Sequence, residues 1–138
     1  KFTNYNEDSS ILEPTYSVGR YERWRSNSLR SNCRVTNQPD WGDVFIHIKG
    51  NRMVTPESLL RYIVSMRQEN HFHEEICEVI YKRLYDLLNP VELFVACLYT
   101  RRGGIDINPI RANDFMVIEK YAKNLEDAYV FCEKSMRQ

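Results

Sequence analysis

Gly42-Asp43-Val44-Phe45-Ile46-His47-Ile48-Lys49-Gly50-Asn51, followed shortly by Thr55-Pro56-Glu57, decides the fold. Val44, Ile46 and Ile48 alternate with Asp43, His47 and Lys49, Phe45 lying on the second side. That period of two predicts a strand with one apolar face, ended by Gly50-Asn51. His47 falls on the more polar side, where it is expected to be solvated or packed against a neighbour. Thr55 then has the chemistry of an N-cap, Pro56 suits the first helical position, and Glu57 places a carboxylate in the first turn. The chain thus changes from strand to helix within a few residues.

Downstream, Leu59, Leu60, Ile63, Val64 and Met66 give that helix an apolar face, and a break is expected near Asn70-His71. A second helix follows, with Ile76, Ile80, Leu84, Leu87 and Leu88 at helical spacing and Asn89-Pro90 as its stop. Leu93–Thr100 reads as a strand apolar on both faces. Arg101-Arg102-Gly103-Gly104 makes a turn, Gly104–Asn108 returns as a strand before Pro109, and a closing helix from about residue 113 carries Ile118, Tyr121, Ala122, Leu125, Tyr129 and Cys132 on one face. Upstream, Tyr21–Arg30 can be extended, whereas residues 1–20, rich in Asn, Asp and Ser and interrupted by Pro14, read as an irregular segment or linker. The order strand, strand, helix, helix, strand, strand, helix predicts an α+β domain over residues 21–138, a four-stranded antiparallel sheet carrying a helix pair on one face. Its open edges favour a homo-oligomer.

The 138 residues suffice for one domain with a core, and Lys plus Arg balance Asp plus Glu at 19 each, so global charge does not argue for nucleic acid or membrane. No apolar run approaches a membrane span, and the opening KFTNYNEDSS lacks a signal-peptide core. Cys33, Cys77, Cys97 and Cys132 are widely spaced without a C-x-x-C pair, which suggests free thiols in a reducing cytoplasm. The first residue is Lys, so the sequence is expected to be a processed product or a fragment.

Three stretches carry candidate chemistry. In Ser31–Trp41, Cys33 lies in a polar loop with a turn at Asn37-Gln38-Pro39, and Asp40 can return across that turn to pair a nucleophile with a proton donor. In His71-Phe72-His73-Glu74-Glu75, Glu74 sits in the first turn of a helix, where the dipole favours an ionised carboxylate. Such a carboxylate accepts two parallel hydrogen bonds from a guanine-like edge, Phe72 offers a stacking face, and His73 can move a proton near neutral pH. A capped helix with solvated charges is the plainer reading of the same residues. Zinc bound by His73 and Cys77, with His71 or Cys33, is disfavoured because Cys77 falls beside Ile76 and Ile80 on the apolar face and no second close ligand pair exists. In Arg101-Arg102-Gly103-Gly104, two cations on a flexible turn can clamp phosphate or form a solvated hairpin.

Together these stretches resemble the QueF family, the NADPH-dependent 7-cyano-7-deazaguanine reductases of queuosine biosynthesis. The matching segments are Leu29–Cys33 with Thr36–Trp41, Phe72–Glu75, and Tyr99–Pro109, in that order. The resemblance implies the tunnelling fold, with Cys33 as the nucleophile that forms a thioimide with the nitrile, Asp40 as general acid and His73 as proton carrier. It implies substrate binding by Phe72 and Glu74, and NADPH as cofactor near Arg101, Arg102 and Gly103, with no metal. The family's cofactor signature places lysines where this chain has Glu57-Ser58-Leu59-Leu60-Arg61-Tyr62, without the first lysine and out of register for the second. That departure resembles the C-terminal module of two-module members, whose other half bears the lysines. An archaeal amidinotransferase-type relative acting on a nitrile-bearing tRNA base, and a non-catalytic purine-binding module, are the alternatives.

Overall fold

The structure, a computed structural model, describes residues 9–32, 39–66, 73–99 and 109–121, with backbone alone at 28–32, 39–41, 73–74 and 99. A 3-10 turn, Ser9–Ile11, precedes strands β1 (Pro14–Asn32) and β2 (Pro39–Val54), helices α1 (Pro56–Ser65) and α2 (His73–Leu88), and strands β3 (Glu92–Tyr99) and β4 (Ile110–Ala112). Residues 115–121 form a further helical segment, α3. The strands lie in the order β1-β2-β3-β4, each antiparallel to its neighbour, which is the expected α+β arrangement.

The start of α1 is built by the predicted cap. The Thr55 Oγ1 accepts the Ser58 N–H at 3.3 Å, and the Thr55 N–H donates to the Glu13 carbonyl at 3.0 Å, so the helix N-terminus is tied to the entry of β1. Leu59, Tyr62, Ile63 and Met66 are buried beneath it, while Leu60, placed on the apolar face by the sequence, remains half exposed. The expected stripe of α2 is buried at Ile76, Ile80, Leu84 and Leu88. Asn89 ends it at φ 44°, a left-handed conformation that Asn tolerates, with Pro90 next.

One sheet serves two cores. Val44, Ile46, Ile48, Leu93, Val95 and Cys97 pack on the helix pair, whereas Phe45, Phe94, Ala96 and Leu98 face Val117 and Tyr121 of α3. The strand predicted to be apolar on both faces is therefore β3, covered on both sides. The His47 ring lies on the α3 side at 3% exposure, buried rather than solvated.

Three boundaries differ from the sequence reading. Residues 14–20 are strand, not irregular, with Pro14 paired to Val54; proline is tolerated as the first residue of an edge strand. Tyr16 and Val18 are exposed there, so no apolar alternation marks the strand. Strand β2 continues past Gly50-Asn51 to Val54. Gly50 serves close approach rather than a stop: a Cβ there would lie 3.3 Å from the Pro90 Cα. Strand β4 follows Pro109, where no strand was expected; the expected strand Gly104–Asn108 lies outside the described residues, as do Ala122, Leu125, Tyr129 and Cys132, expected in the closing helix. No described helix is long and apolar enough to cross a membrane.

Candidate active site

Strand pairing determines which chain ends share one end of the sheet. Asn32 pairs with Pro39, Ser31 with Asp40, and Leu29 with Gly42. Gly42 pairs on its other side with Tyr99, the last residue of β3. The backbone of Asp40 therefore stands two residues, about 7 Å, beyond a line that crosses three strands. Helix α2 returns antiparallel to β3 through the Asn89-Pro90 turn, so its first residues approach the Tyr99 end. The contact is fixed by Cys77, one turn into the helix, whose Sγ lies 3.4 Å from the carbonyls of both Val95 and Pro109. The ends Asn32, Pro39, His73, Tyr99 and Pro109 thus lie toward one end of the sheet.

Of the sequence-predicted site residues, Asp40 is placed in β2, and His73 and Glu74 are the first two residues of α2. Their side chains, and all of Cys33, Phe72, Arg101, Arg102 and Gly103, lie outside the described residues. The α2 N-terminus supplies a partial positive charge, suited to a carboxylate or another anion. Cys77 and Cys97 are free and fully buried. A hydrogen bond with Cys77 first, then burial, raises the Cys97 pKa well above the ordinary thiol value. Both are core thiols as expected, and no group of three metal-capable side chains occurs among the described residues.

The cofactor signature can be tested on α1. Leu59, where the resembling signature places a lysine, is 4% exposed and belongs to the helix-side core. Arg61 points outward and lies 3.8 Å from Glu13. The described face of α1 does not fit a binder of nucleotide phosphates.

An aromatic and charged cluster on the α3 side was not singled out by the sequence. The Tyr21 hydroxyl lies 2.6 Å from His47 Nδ1, and the His47 ring stacks on Tyr121 at a centroid distance of 4.1 Å with Phe94 at its edge. Burial, reinforced by the positive charge of Arg23, lowers the His47 pKa to about 4; the neutral ring shares one hydrogen bond with the Tyr21 hydroxyl, its direction set by the ring tautomer. The Tyr121 hydroxyl donates to Glu92 Oε1 at 2.7 Å, and the Lys120 ammonium donates to the same carboxylate at 3.1 Å. Burial would raise the Glu92 pKa, but these bonds and the nearby lysines bring it below the ordinary value. Only the shared side of Phe45 and His47 on β2 hinted at this face.

Comparison with known proteins agrees with the sequence resemblance. Residues 39–116 match the model of a family described as QueF-like protein. An NADPH-dependent 7-cyano-7-deazaguanine reductase of Psychrobacter cryohalolentis is 47% identical over 116 residues, covering 80% of this chain and 41% of that protein. The reductase of the same name from Saccharophagus degradans is 52% identical over 109 residues, covering 79% of this chain and 40% of that protein. The chain spans about two-fifths of the length of these curated relatives. Among solved structures, an archaeosine synthase QueF-Like in the apo form superposes with a TM-score of 0.59 at 15% identity, covering 71% of this chain and 95% of that one. At that identity the likeness concerns the fold, which agrees with the tunnelling arrangement.

Proposed function

Since this chain belongs to the QueF-like family, we propose that it is the nitrile-capturing module of a 7-cyano-7-deazaguanine reductase in queuosine biosynthesis. The observation that carries the reading is the set Cys33, Asp40 and Phe72-His73-Glu74, kept in family order on segments whose described ends lie toward one end of the sheet. In this reading the Cys33 thiolate attacks the nitrile carbon, forming a C–S bond as one C–N π pair moves to nitrogen. Asp40 gives that nitrogen its proton, and the product is a neutral thioimide. Glu74 accepts the paired donors of the base edge, Phe72 stacks on its face, and His73 carries protons near neutral pH.

The relatives are named as NADPH-dependent, and NADPH would supply the hydride that reduces the captured carbon. The buried Leu59 keeps α1 from offering the signature lysine, so cofactor phosphates would fall to Arg101, Arg102 and Gly103 and to a lysine-bearing module joined to this chain or supplied as a partner. Assembly through the open sheet edges, as a homo-oligomer or with such a module, is part of the same reading, as is a cytoplasmic setting without direct nucleic-acid contact.

The test is intact-mass measurement of the purified chain with 7-cyano-7-deazaguanine and no cofactor. Addition of one nitrile mass, lost in Cys33→Ala and retained in Cys97→Ala, is the expected result. A label mapped to another cysteine, or no label, would refute the assignment. NADPH oxidation, with and without a lysine-bearing module, then separates capture from turnover.

A further inference from the structure

We propose that Cys77 is a positioning residue for the candidate site, its thiol holding the first turns of α2 in register with the Pro109 carbonyl; this rests on the nitrile-capture reading. A sulfur in an aliphatic core ordinarily acts as a small apolar filler. Here the same sulfur has two buried acceptors within reach, Val95 O and Pro109 O, each at 3.4 Å. Pro109 O also accepts the Cys97 N–H at 3.0 Å, so the strand ladder and the helix side chain meet on one oxygen. The Cys77 side chain thus links β3, at the Val95 carbonyl, through α2 to Pro109, the residue where the last described stretch begins.

The placement gives this chain of bonds a bearing on chemistry. Position 73 lies four residues before Cys77, one helical turn and about 6 Å along the axis, and Glu74 follows it. Pro109 opens the next described stretch after Tyr99, and Arg101 and Arg102 fall between the two in sequence. A change of angle or register between α2 and Pro109 would therefore move the base-reading turn relative to the strand end that bears Asp40. Displacements of about an ångström at such a site are enough to cost large factors in rate or binding.

The experiment measures the rate of Cys33 labelling against nitrile concentration in the parent chain, Cys77→Val, Cys77→Ala and Cys77→Ser. Valine fills the space without a donor, alanine removes only the sulfur should valine fail to pack, and serine restores an O–H donor. The expected result is a roughly tenfold higher half-saturating nitrile concentration in Cys77→Val and Cys77→Ala, with Cys77→Ser recovering most of the loss. A purely packing role would lower the amount of active protein, read from the labelling end point, and leave half-saturation unchanged. Unchanged half-saturation in Cys77→Val and Cys77→Ala, or equal impairment in Cys77→Ser, overturns the positioning role while the parent's labelling upholds nitrile capture. A parent chain that never labels overturns nitrile capture and this role with it.

Discussion

Acid should loosen this fold through His47 before it reaches the carboxylates. The ring is 3% exposed and its pKa is lowered from 6.5 to about 4, by burial first and then by Arg23. In the unfolded chain it binds a proton near pH 6.5; in the folded chain it stays neutral until about pH 4. Its contribution is fully present above pH 6.5 and is lost as pH falls from 6.5 to about 4, where the curve levels. At about 1.4 kcal/mol per pKa unit, the loss over that window is about 3 kcal/mol. Glu92, with a lowered pKa, contributes stability that is present above the ordinary carboxylate value of 4.5 and lost below it, a lower window. Replacing His47 by Phe keeps a ring against Tyr121 and removes the titration. Losing the Tyr21 bond should cost about 1 kcal/mol at pH 7.5. At pH 4.5 the variant should be the more stable protein by about 1–2 kcal/mol. Urea unfolding of both proteins between pH 7.5 and 4.5, followed by circular dichroism, tests this, because His71 and His73 are common to both and cancel. Parallel curves that never cross would show that His47 does not titrate as its burial requires.

Thr55→Ala removes the oxygen that accepts the Ser58 N–H and should cost about 1 kcal/mol in urea unfolding, with no change in the pH dependence set by His47. Asp40→Asn should slow Cys33 labelling by about two orders of magnitude while the circular dichroism spectrum is kept; labelling at the parent rate would make Asp40 structural. Glu74→Ala should weaken nitrile binding by roughly 1–3 kcal/mol and Glu74→Gln nearly as much, because the amide offers a donor where two acceptors are needed. Calorimetry showing unchanged affinity in both would move base recognition to another residue.

The helices were legible because their signals are local. Thr55-Pro56-Glu57 specifies a start through backbone donors within one turn, and the Ile76-to-Leu88 stripe repeats a period that only a helix buries on one side. The outer strands were less legible, since β1 is held by pairing with β2 while Tyr16 and Val18 stay exposed, so its residues carry no alternation. Gly50 misled because close approach to Pro90 and a turn ask for the same residue type. Burial of His47 depends on Tyr121, more than seventy positions away, and no local pattern reports such a partner. The candidate site divides in the same way. Cys33, Asp40 and Glu74 could be named from their motifs, whereas the approach of the described ends at Asn32, Pro39, His73 and Tyr99 follows only from the pairings of Gly42 with Leu29 and Tyr99 and from the bonds of Cys77.

A sheet that separates two cores also separates two scales of opening. Among the described residues, the α3 side packs through Phe45, Phe94, Ala96, Leu98, Val117 and Tyr121, while the opposite side joins two helices to three strands. Lifting α3 breaks the smaller set without disturbing the larger, so the domain can breathe on one face while remaining folded on the other. Amide hydrogen exchange should register this as two levels of protection, with α3 exchanging at a lower free energy than the buried face of α2. As pH falls from 6.5 to about 4 both levels should drop together, because a lifted α3 and full unfolding each let the buried His47 ring take its proton.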